Sequence, residues 1–453
     1  MNASKINLPN DFIDRIRQQF SLAEADEFLQ ALETTSPVSI RLNPEKPMHP
    51  LPASGSIPWC RNGYYLHARP VFTLDPLFHA GCYYVQEAGS MLIEQLLQPE
   101  LPSLSAATVL DACAAPGGKS THLLSLLDKD SVIVSNEIIP GRNKTLRYNL
   151  AKWGHPNKIV TQSETARWSE SAARFNLILV DAPCSGEGLF RRDPEAAKEW
   201  SLQQTQQCVQ RQEIILDELV PLLKEGGLLL YSTCTYNPAE NDDQIARLLE
   251  AYSFEVISGV PPEGIVATRF GWQAYPHKVA SEGFYCCLLR YTGQEKRVSK
   301  IKATEVSSLN DKKINYRKWL KPSEEINAWT LQQQVYFAGA NTQEFMQLLH
   351  GIYIREFGVP GGEIKGNDLI PSFSLALSTI VNDQLPGIDL TEEESIEFLK
   401  CGNLHAASSI HGWHLMRYQQ HGLGWAKKIG QRWNNYHPRE FRILMDKPSA
   451  KKS

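Results

Sequence analysis

Residues 107–120, ATVLDACAAPGGKS, decide the fold of this chain. The first five form an apolar strand that ends in an acid, and a turn of small residues joins it to the apolar helix THLLSLL. In open α/β sheets such a turn lies at the carboxyl edge of the parallel strands, where ligands bind. Small residues let the backbone approach a ligand, and a helix N-terminus favours a carboxylate or a phosphate. The stretch therefore predicts a ligand-binding α/β sheet.

Strands and helices alternate after this turn. Helices are predicted around residues 141–154 and 210–223, and FEVIS with FYCCLLR is predicted to close the sheet as an antiparallel pair. The alternation is typical of a mostly parallel sheet. The further predicted strands are SVIVSNE (131–137), NKIVTQS (157–163), FNLILVDAPC (175–184) and GGLLLYSTCT (226–235).

The glycine-rich turn can be interpreted as the binding site of either of two kinds of ligand. GKS at 118–120 matches the end of a nucleotide-binding P-loop. The first glycine of that motif would fall at Cys113, however, and Pro116 removes an N–H that a phosphate would need. Glu137 closes the second strand about twenty residues after the turn, where a Rossmann-like site holds ribose hydroxyls. The turn and the acid favour an adenosine-type ligand such as S-adenosylmethionine, with a P-loop ATPase as the alternative.

Two cysteines stand at strand ends, Cys184 in DAPCSGEG and Cys234 in STCT. A thiolate that adds to carbon 6 of a cytosine makes carbon 5 able to attack a sulfonium methyl group. Asp181 could hydrogen-bond the ring near N3 as electrons move there. Purine N-methylation needs no such nucleophile, so the pair points to pyrimidine chemistry. Four of the other cysteines are expected to be simply buried: Cys208, Cys286, Cys287 and Cys401. The remaining three are expected to be structural rather than nucleophilic: Cys60, Cys82 and Cys113.

With these motifs the chain resembles the NOL1/NOP2/Sun family of RNA cytosine-5 methyltransferases. DACAAPGGKS, DAPCSGEG and STCT occur in the family's order and spacing, and the similarity covers roughly residues 36–290. RLN at 41–43 and a predicted helix, YYVQEAGSMLI at 83–93, also look like family elements. The resemblance implies a Rossmann-like class I methyltransferase domain.

The resemblance also implies roles for individual residues. Cys234 would be the nucleophile, Cys184 would help product release, and Asp181 and Lys119 would lie at the cytosine. Glu164 stands where the family usually has an aspartate at the adenine, with Ser163 as the alternative. The S-adenosyl-L-methionine site would comprise Cys113, Ala114, Ala115, Pro116, Gly117, Gly118, Lys119, Glu137, Glu164 and Asp181.

The C-terminal extension resembles that of the bacterial 16S ribosomal RNA methyltransferases of the F type, which end in a PUA-like RNA-binding domain. Residues 411–453 carry nine Lys and Arg against two Asp and Glu. Basic residues reach phosphates and aromatic ones stack on unpaired bases, although a solvated basic face over a tryptophan core would give a similar pattern. The interleaved residues are Lys427, Lys428, Arg432, Arg439 and Arg442 with Trp425, Trp433 and Tyr436.

A chain of 453 residues exceeds one ordinary core. We expect an N-terminal RNA-binding α+β domain (1–75), the methyltransferase domain (76–292), a basic linker (293–322) and a C-terminal PUA-like RNA-binding domain (323–453). Nine cysteines without a CxxC pair predict neither disulfides nor a metal site. No apolar run approaches the ~20 residues of a membrane span, and no signal peptide is evident. We therefore expect a cytoplasmic monomer without membrane contact.

These observations predict methylation of cytosine carbon 5 in RNA, with 16S ribosomal RNA as the first candidate substrate, by covalent addition of a cysteine to carbon 6. A tRNA cytosine-5 methyltransferase is the nearest alternative. A non-catalytic RNA-binding ribosome assembly factor is another, although such a protein has no use for strand-end thiols.

Overall fold

The computed structural model gives the fold for most of the chain, and half of the predicted linker lies outside what it describes. No helix in the described part is both long and apolar enough to cross a membrane. The described residues are 6–48, 51–295, 307–309, 314–323, 325–331, 333–366 and 368–445.

The N-terminal region is a helical pair followed by a small antiparallel sheet of order β2-β3-β1-β4. Phe12 and Ile16 lie four residues apart, so both face the same side of the first helix and are buried. The hydroxyl of Ser21 caps the second helix by accepting from the Glu24 N–H. The elements are α1 (Asn10–Gln19), α2 (Leu22–Leu32), β1 (Val38–Leu42), β2 (Ala53–Ser56), β3 (Gly63–Leu66), α3 (Pro76–Ala80) and β4 (Tyr83–Val85).

The predicted helix YYVQEAGSMLI is wrong over its first half. Its aromatic and β-branched start forms β4, which pairs antiparallel with β1. The Glu87 carboxylate then accepts from the N–H groups of Gly89 and Ser90 and shapes a turn. A short helix begins only at Leu92. Pairing with a distant strand therefore outweighs the local helical pattern.

The predicted α/β sheet is confirmed. β5, β6, β7, β8 and β9 are parallel neighbours in the order β7-β6-β5-β8-β9. The predicted antiparallel closure is confirmed as the pair β10 and β13, and β12 and β11 extend the sheet. The elements are α4 (Leu92–Leu97), β5 (Thr108–Asp111), α5 (Gly118–Leu126), β6 (Val132–Asn136), α6 (Pro140–Trp153), β7 (Lys158–Thr161), β8 (Phe175–Asp181), α7 (Pro194–Glu199), α8 (Leu202–Leu219), β9 (Leu223–Thr233), α9 (Asp242–Ala251), β10 (Phe254–Val256), β11 (Val266–Ala267), β12 (Trp272–Ala274) and β13 (Phe284–Tyr291).

The C-terminal region forms two sheets, of order β14-β15-β16-β18-β19 and β20-β21-β22-β23. Its strand β17 belongs to neither and instead pairs antiparallel with β7, at the far edge of the central sheet. The elements are β14 (Ser307–Ser308), β15 (Asn327–Leu331), β16 (Gln334–Ala338), α10 (Ala340–Gln347), β17 (Ile354–Phe357), β18 (Val359–Lys365), β19 (Asp368–Pro371), α11 (Phe373–Ala376), β20 (Gly387–Asp389), α12 (Glu392–Leu399), β21 (Gly412–Tyr418), β22 (His421–Ile429) and β23 (Arg432–Asn435).

One buried lysine joins all three regions. The Lys46 ammonium donates to the backbone carbonyls of Ala80, Lys152 and Leu377, each near the end of a helix. Helix ends leave carbonyls without partners, and a cation suits them. The last sheet also packs its apolar face on the N-terminal region in one cluster that includes Ile40, Leu77, Tyr83, Phe398, Met416 and Leu423.

Candidate active site

The turn between β5 and α5 is held by hydroxyl contacts. Ser120 Oγ donates to Asp111 Oδ2 at 2.6 Å and accepts from Ser135 Oγ at 2.9 Å, which ties the turn to β6. Gly117 has φ +108°, a left-handed conformation that favours glycine. Burial raises the pKa of Asp111 to about 7. Its Oδ1 has no hydrogen-bond partner among the described residues, which leaves a polar atom beside the turn.

A cavity of ≈ 720 Å³ opens beside this turn. Cys113, Glu137 and Glu164, all predicted cofactor residues, line it. Glu137 Oε1 accepts from the Ile139 N–H at 2.8 Å, whereas Oε2 lies 3.5 Å from Arg142 Nε. The second oxygen therefore keeps capacity for a ligand hydroxyl.

Glu164 and Ser163 differ in what they face. Glu164 lines the cavity. Ser163 is buried, and its hydroxyl accepts from the Tyr353 N–H at 2.8 Å. Only Glu164 is thus presented to a ligand. Tyr353 immediately precedes β17, so this contact depends on a segment that sequence patterns did not connect with the site.

Apolar side chains flank the acids of the cavity. Ile138 follows Glu137 and is 51% exposed, and Ile214 on α8 is 57% exposed. Exposed isoleucines in a cavity suit the faces of a flat ring, while Glu137 suits hydroxyl groups. The donor set therefore fits an adenosine-type ligand. Sequence reasoning missed both isoleucines, although the position of Ile138 after the strand-end acid could have suggested it.

Asp181 and Lys119 meet at the carboxyl edge of the sheet. Lys119 Nζ lies 2.7 Å from Asp181 Oδ2, and Ser232 Oγ donates to Asp181 Oδ1 at 2.9 Å. Burial disfavours the Lys119 ammonium, but the charge of Asp181 and its hydrogen bond outweigh this and raise the pKa of Lys119. The lysine thus stays charged and is held by Asp181, which speaks against a P-loop role for it.

The structure brings Cys184 and Cys234 together. Their Sγ atoms lie 3.3 Å apart, and both are free, partly exposed thiols. The hydrogen bond with Cys234, followed by burial, raises the pKa of Cys184 well above its ordinary value. One sulfur of the pair can therefore hold a proton beside the other.

The cysteine loops rest on a buried polar network. Glu240 accepts from the Ser185 N–H at 2.8 Å and from Gln212 Nε2 at 3.1 Å. The Gly188 N–H donates to the Cys234 carbonyl at 2.9 Å, and a Cβ on Gly188 would lie 2.8 Å from that oxygen. Gly188, the last residue of DAPCSGEG, is therefore required for this close approach. Sequence reasoning missed Glu240 and Gln212.

The N-terminal helix α1 also contacts both cysteine loops. Arg15 Nη2 lies 2.5 Å from Glu187 Oε2, and Arg15 Nη1 donates to the Tyr236 carbonyl at 3.3 Å. Glu187 is fully buried and also accepts from Trp200 Nε1 at 3.1 Å. No local sequence pattern predicts the contacts of Arg15 with Glu187 and Tyr236, because these residues lie far apart in the chain.

The remaining cysteines divide into two groups. Cys60, Cys82, Cys286 and Cys287 are buried, whereas Cys113, Cys208 and Cys401 are partly exposed. The expectation that Cys208 and Cys401 are simply buried is therefore wrong. Cys401 follows α12 with φ +60°, where the chain turns at the surface.

A cluster of possible metal ligands that the sequence did not suggest lies away from the carboxyl edge of the sheet. It consists of Cys60, Glu94 and His122. Their ligand atoms lie within 4.8 Å of one another. His122 Nε2 lies 2.8 Å from Glu94 Oε2. Burial raises the pKa of Cys60 and lowers that of His122 to about 4, so thiol and imidazole are neutral. The cluster is a hydrogen-bonded network.

The predicted basic and aromatic C-terminal surface needs one correction. Trp425 is buried, and its Nε1 donates to the Ser372 carbonyl at 2.8 Å, so its ring belongs to the core. Alternation along β22 turns it inward. Trp433 is partly exposed with Lys428 above its ring, and Tyr436 is exposed. A smaller aromatic surface than predicted remains.

Comparisons with known proteins match segments in the N-terminal, central and C-terminal regions of the chain. Three family models match in chain order: the N-terminal domain of 16S rRNA methyltransferase RsmF at 8–88, 16S rRNA methyltransferase RsmB/F at 96–290 and the methyltransferase RsmF PUA domain at 386–443. The chain is 28% identical over 472 residues to ribosomal RNA small subunit methyltransferase F of Cronobacter sakazakii, covering 96% of each chain. It is 28% identical over 482 residues to the protein of the same name from Shewanella woodyi, covering 99% of each.

A solved structure agrees with these matches. A methyltransferase homolog from Pyrococcus horikoshii aligns with a TM-score of 0.54 and 27% identity, covering 63% of this chain and 96% of that one. The N-terminal, catalytic and PUA segments thus follow one another as in these relatives. The chain thus matches the 16S rRNA methyltransferase RsmB/F model over its central segment, flanked by matches to the RsmF N-terminal and PUA domains.

Proposed function

We propose that this protein transfers a methyl group from S-adenosyl-L-methionine to carbon 5 of a cytosine in 16S ribosomal RNA, through a covalent bond between Cys234 and carbon 6. The observation that carries the proposal is the pair of sulfur atoms 3.3 Å apart. The Lys119–Asp181 pair lies at the same edge of the sheet. A nucleophile, a second thiol and a hydrogen-bonding acid are what methylation of a pyrimidine carbon needs.

The cofactor site is assigned to the cavity beside the first turn. Glu137 would hold the ribose hydroxyls and Glu164 would lie at the adenine. Asp181, outside the lining of this cavity, would lie toward the methionine end. The bound cofactor supplies an electrophilic methyl group. The backbone of the turn surrounds the methionine part through Cys113, Ala114, Ala115, Pro116, Gly117, Gly118 and Lys119.

The reaction proceeds by addition, transfer and elimination. The Cys234 thiolate bonds to carbon 6 while Asp181 and Lys119 hydrogen-bond the ring, and the electrons reach carbon 5 through the enamine. Carbon 5, activated in this way by Cys234, would be the nucleophile for the methyl group that bound S-adenosyl-L-methionine would supply. With Cys234 bonded to carbon 6, the hydrogen bond that raised the pKa of Cys184 is gone, and Cys184 loses its proton to solvent. The Cys184 thiolate then takes the carbon 5 proton as the carbon 6–sulfur bond breaks and releases the Cys234 thiolate.

The experiment uses purified protein, labelled S-adenosylmethionine and two RNA pools. We expect methyl transfer to 16S ribosomal RNA at one cytosine, located by bisulfite sequencing, and none to tRNA. Transfer to tRNA alone would assign the protein to that substrate. Cofactor binding without transfer to either RNA would favour the assembly-factor alternative and would overturn the proposal.

Two cysteine variants test the covalent steps. Cys234→Ala should abolish transfer and form no adduct with RNA. Cys184→Ala should slow transfer by ~10²–10⁴ and accumulate a protein–RNA adduct that survives denaturing gels, since an assisting base or acid contributes about that factor. An adduct only in Cys234→Ala would exchange the two roles. Activity retained in both variants without any adduct would exclude the covalent route.

A further inference from the structure

A second cavity, of ≈ 430 Å³, lies between the N-terminal region and α6. Its size falls in the range of ordinary ligand pockets, which begins at roughly 300 Å³. Three aromatic rings line it, together with two cations, and no acid does so. The rings are Phe72, Phe78 and Tyr84, and the cations are Arg69 and Lys152.

Lys152 is the unusual member of this cavity. It is 5% exposed, and within the described residues its ammonium has neither a hydrogen-bond acceptor nor a carboxylate at ion-pair distance. Its Nζ lies 3.8 Å from the ring centroid of Phe78 and 4.9 Å from that of Tyr148. Burial, together with the charge of Lys46, lowers the pKa of Lys152 to about 7. A buried ammonium held only by ring faces lacks an anion.

The rim of the cavity adds a second cation and accessible apolar surface. Arg69 is exposed, and its guanidinium lies 5.5 Å from the ring centroid of Phe72. Val71 beside it is 45% exposed. An anion that enters would therefore pass Arg69 before it reaches Lys152.

The cavity adjoins the proposed cofactor turn from its outer side. Tyr84 OH donates to the Pro116 carbonyl at 3.3 Å, and Asn149 Nδ2 donates to the same oxygen at 2.8 Å. Both Tyr84 and Asn149 also line the cavity. The cavity therefore shares two of its lining residues with the support of the turn that carries Lys119.

We propose that this cavity binds one unpaired nucleotide of the substrate RNA, with its phosphate on Lys152 and Arg69 and its base against the aromatic rings. The proposal rests on the proposed function, because it assumes that RNA is the substrate. Phosphate with cations and bases with aromatic faces are the usual contacts of single-stranded RNA.

The test measures binding of a fluorescent 16S fragment across a salt series, for wild type, Lys152→Met and Arg69→Gln. Methionine keeps the apolar stem against Phe78 and removes the charge. We expect each variant to bind roughly tenfold more weakly, the value of one charge-assisted hydrogen bond. The salt slope should fall by about one for each phosphate that is no longer neutralised. S-adenosylmethionine affinity should not change.

Lys129→Met is the matched control. This exposed lysine precedes β6, at the edge of the sheet opposite the turn, so removing its charge should leave the salt slope unchanged. Thermal unfolding checks that Lys152→Met folds, and Arg69→Gln decides the matter if it does not. Wild-type affinity and slope in the folded variants, in a protein that methylates RNA, would overturn this inference and leave the proposed function intact.

A free nucleotide is the other occupant with the same chemistry. Calorimetry with uridine monophosphate distinguishes it. Tight binding that Lys152→Met removes, with RNA affinity unchanged, would make the cavity a small-molecule site and contradict the inference. If the wild type methylates no RNA, the proposed function fails first, independently of the cavity.

Discussion

Two lysine–carboxylate pairs in the central sheet have the same chemistry and opposite surroundings. At the carboxyl edge, Lys119 and Asp181 lie 2.7 Å apart with side chains 13% and 32% exposed. In the seam between β7 and β17, Lys158 and Glu356 lie 3.0 Å apart with side chains 1% and 4% exposed. The difference shows that ion-pair geometry alone does not identify a catalytic group.

Exposure decides what each carboxylate can do. Glu356 also accepts from Arg147 Nε at 2.8 Å, so protein cations occupy both of its oxygens. Removing one partner from such a buried pair leaves an uncompensated charge. Asp181 is 32% exposed, so part of its carboxylate stays open to a ligand, and its pair with Lys119 contributes less to stability than a fully buried one. The pair in the seam is therefore expected to affect folding, and the pair at the carboxyl edge is expected to affect catalysis.

The largest effect is expected at the exposed pair. Asp181→Asn should lower single-turnover methyl transfer by ~10²–10⁴, because an amide cannot act as the acid at the ring when electrons reach N3. The free energy of unfolding should change by no more than about 1 kcal/mol. Urea denaturation checks the second value. If Asp181→Asn lowered the free energy of unfolding enough to explain the loss of activity, the two ion pairs would not differ in role.

The next effect is expected in the seam. Glu356→Gln should lower the free energy of unfolding by roughly 3 kcal/mol, since Lys158 remains buried without a carboxylate. The folded fraction should keep the wild-type kcat. The double variant Lys158→Met, Glu356→Leu is the control and should recover much of that stability. An unfolding midpoint equal to wild type in Glu356→Gln would show that the seam does not need the charge.

Glu137 is as buried as Glu356 but lines the cavity proposed for the cofactor. Glu137→Ala should weaken S-adenosylmethionine binding by roughly 1–3 kcal/mol, the cost of leaving ligand hydroxyls unpaired. Isothermal calorimetry measures this value. Wild-type affinity in this variant would remove Glu137 from the ribose site.

The smallest effect is expected at an exposed cation outside the two pairs. Arg432→Gln should weaken RNA binding a few-fold and lower the salt slope by about one, because one phosphate is no longer neutralised. Deletion from Asp368 onward would be a poorer test, since it would also expose the apolar cluster on Leu77 and Tyr83. An unchanged slope would mean that Arg432 does not face RNA.

Sequence patterns predicted the candidate site at the carboxyl edge of the sheet because its residues follow strand ends. The motif at each end places Asp181, Cys184 and Cys234 on one edge before any coordinates are known. The 3.3 Å separation of the sulfurs does not follow from spacing, since it depends on how two loops pack.

The features that sequence patterns did not predict depend on contacts between distant segments of the chain. Lys158 and Glu356 are separated by 198 positions, and neither stands in a distinctive motif. Arg15 and Glu187 are separated by 172 positions. Local periodicity predicts a helix where β4 forms, because it carries no information about the partner strand β1. At β4, pairing with the distant strand β1 outweighs the local preference for a helix.

The triple carbonyl contact of Lys46 has a consequence for synthesis of the chain on the ribosome. The Leu377 carbonyl is made 331 residues after Lys46. At about 5–20 residues per second, roughly 20–60 s of translation separate the two. During that interval the nascent N-terminal sheet has a lysine without its last acceptor and an uncovered apolar face. We expect the first region to reach its final packing only when nearly the whole chain has emerged.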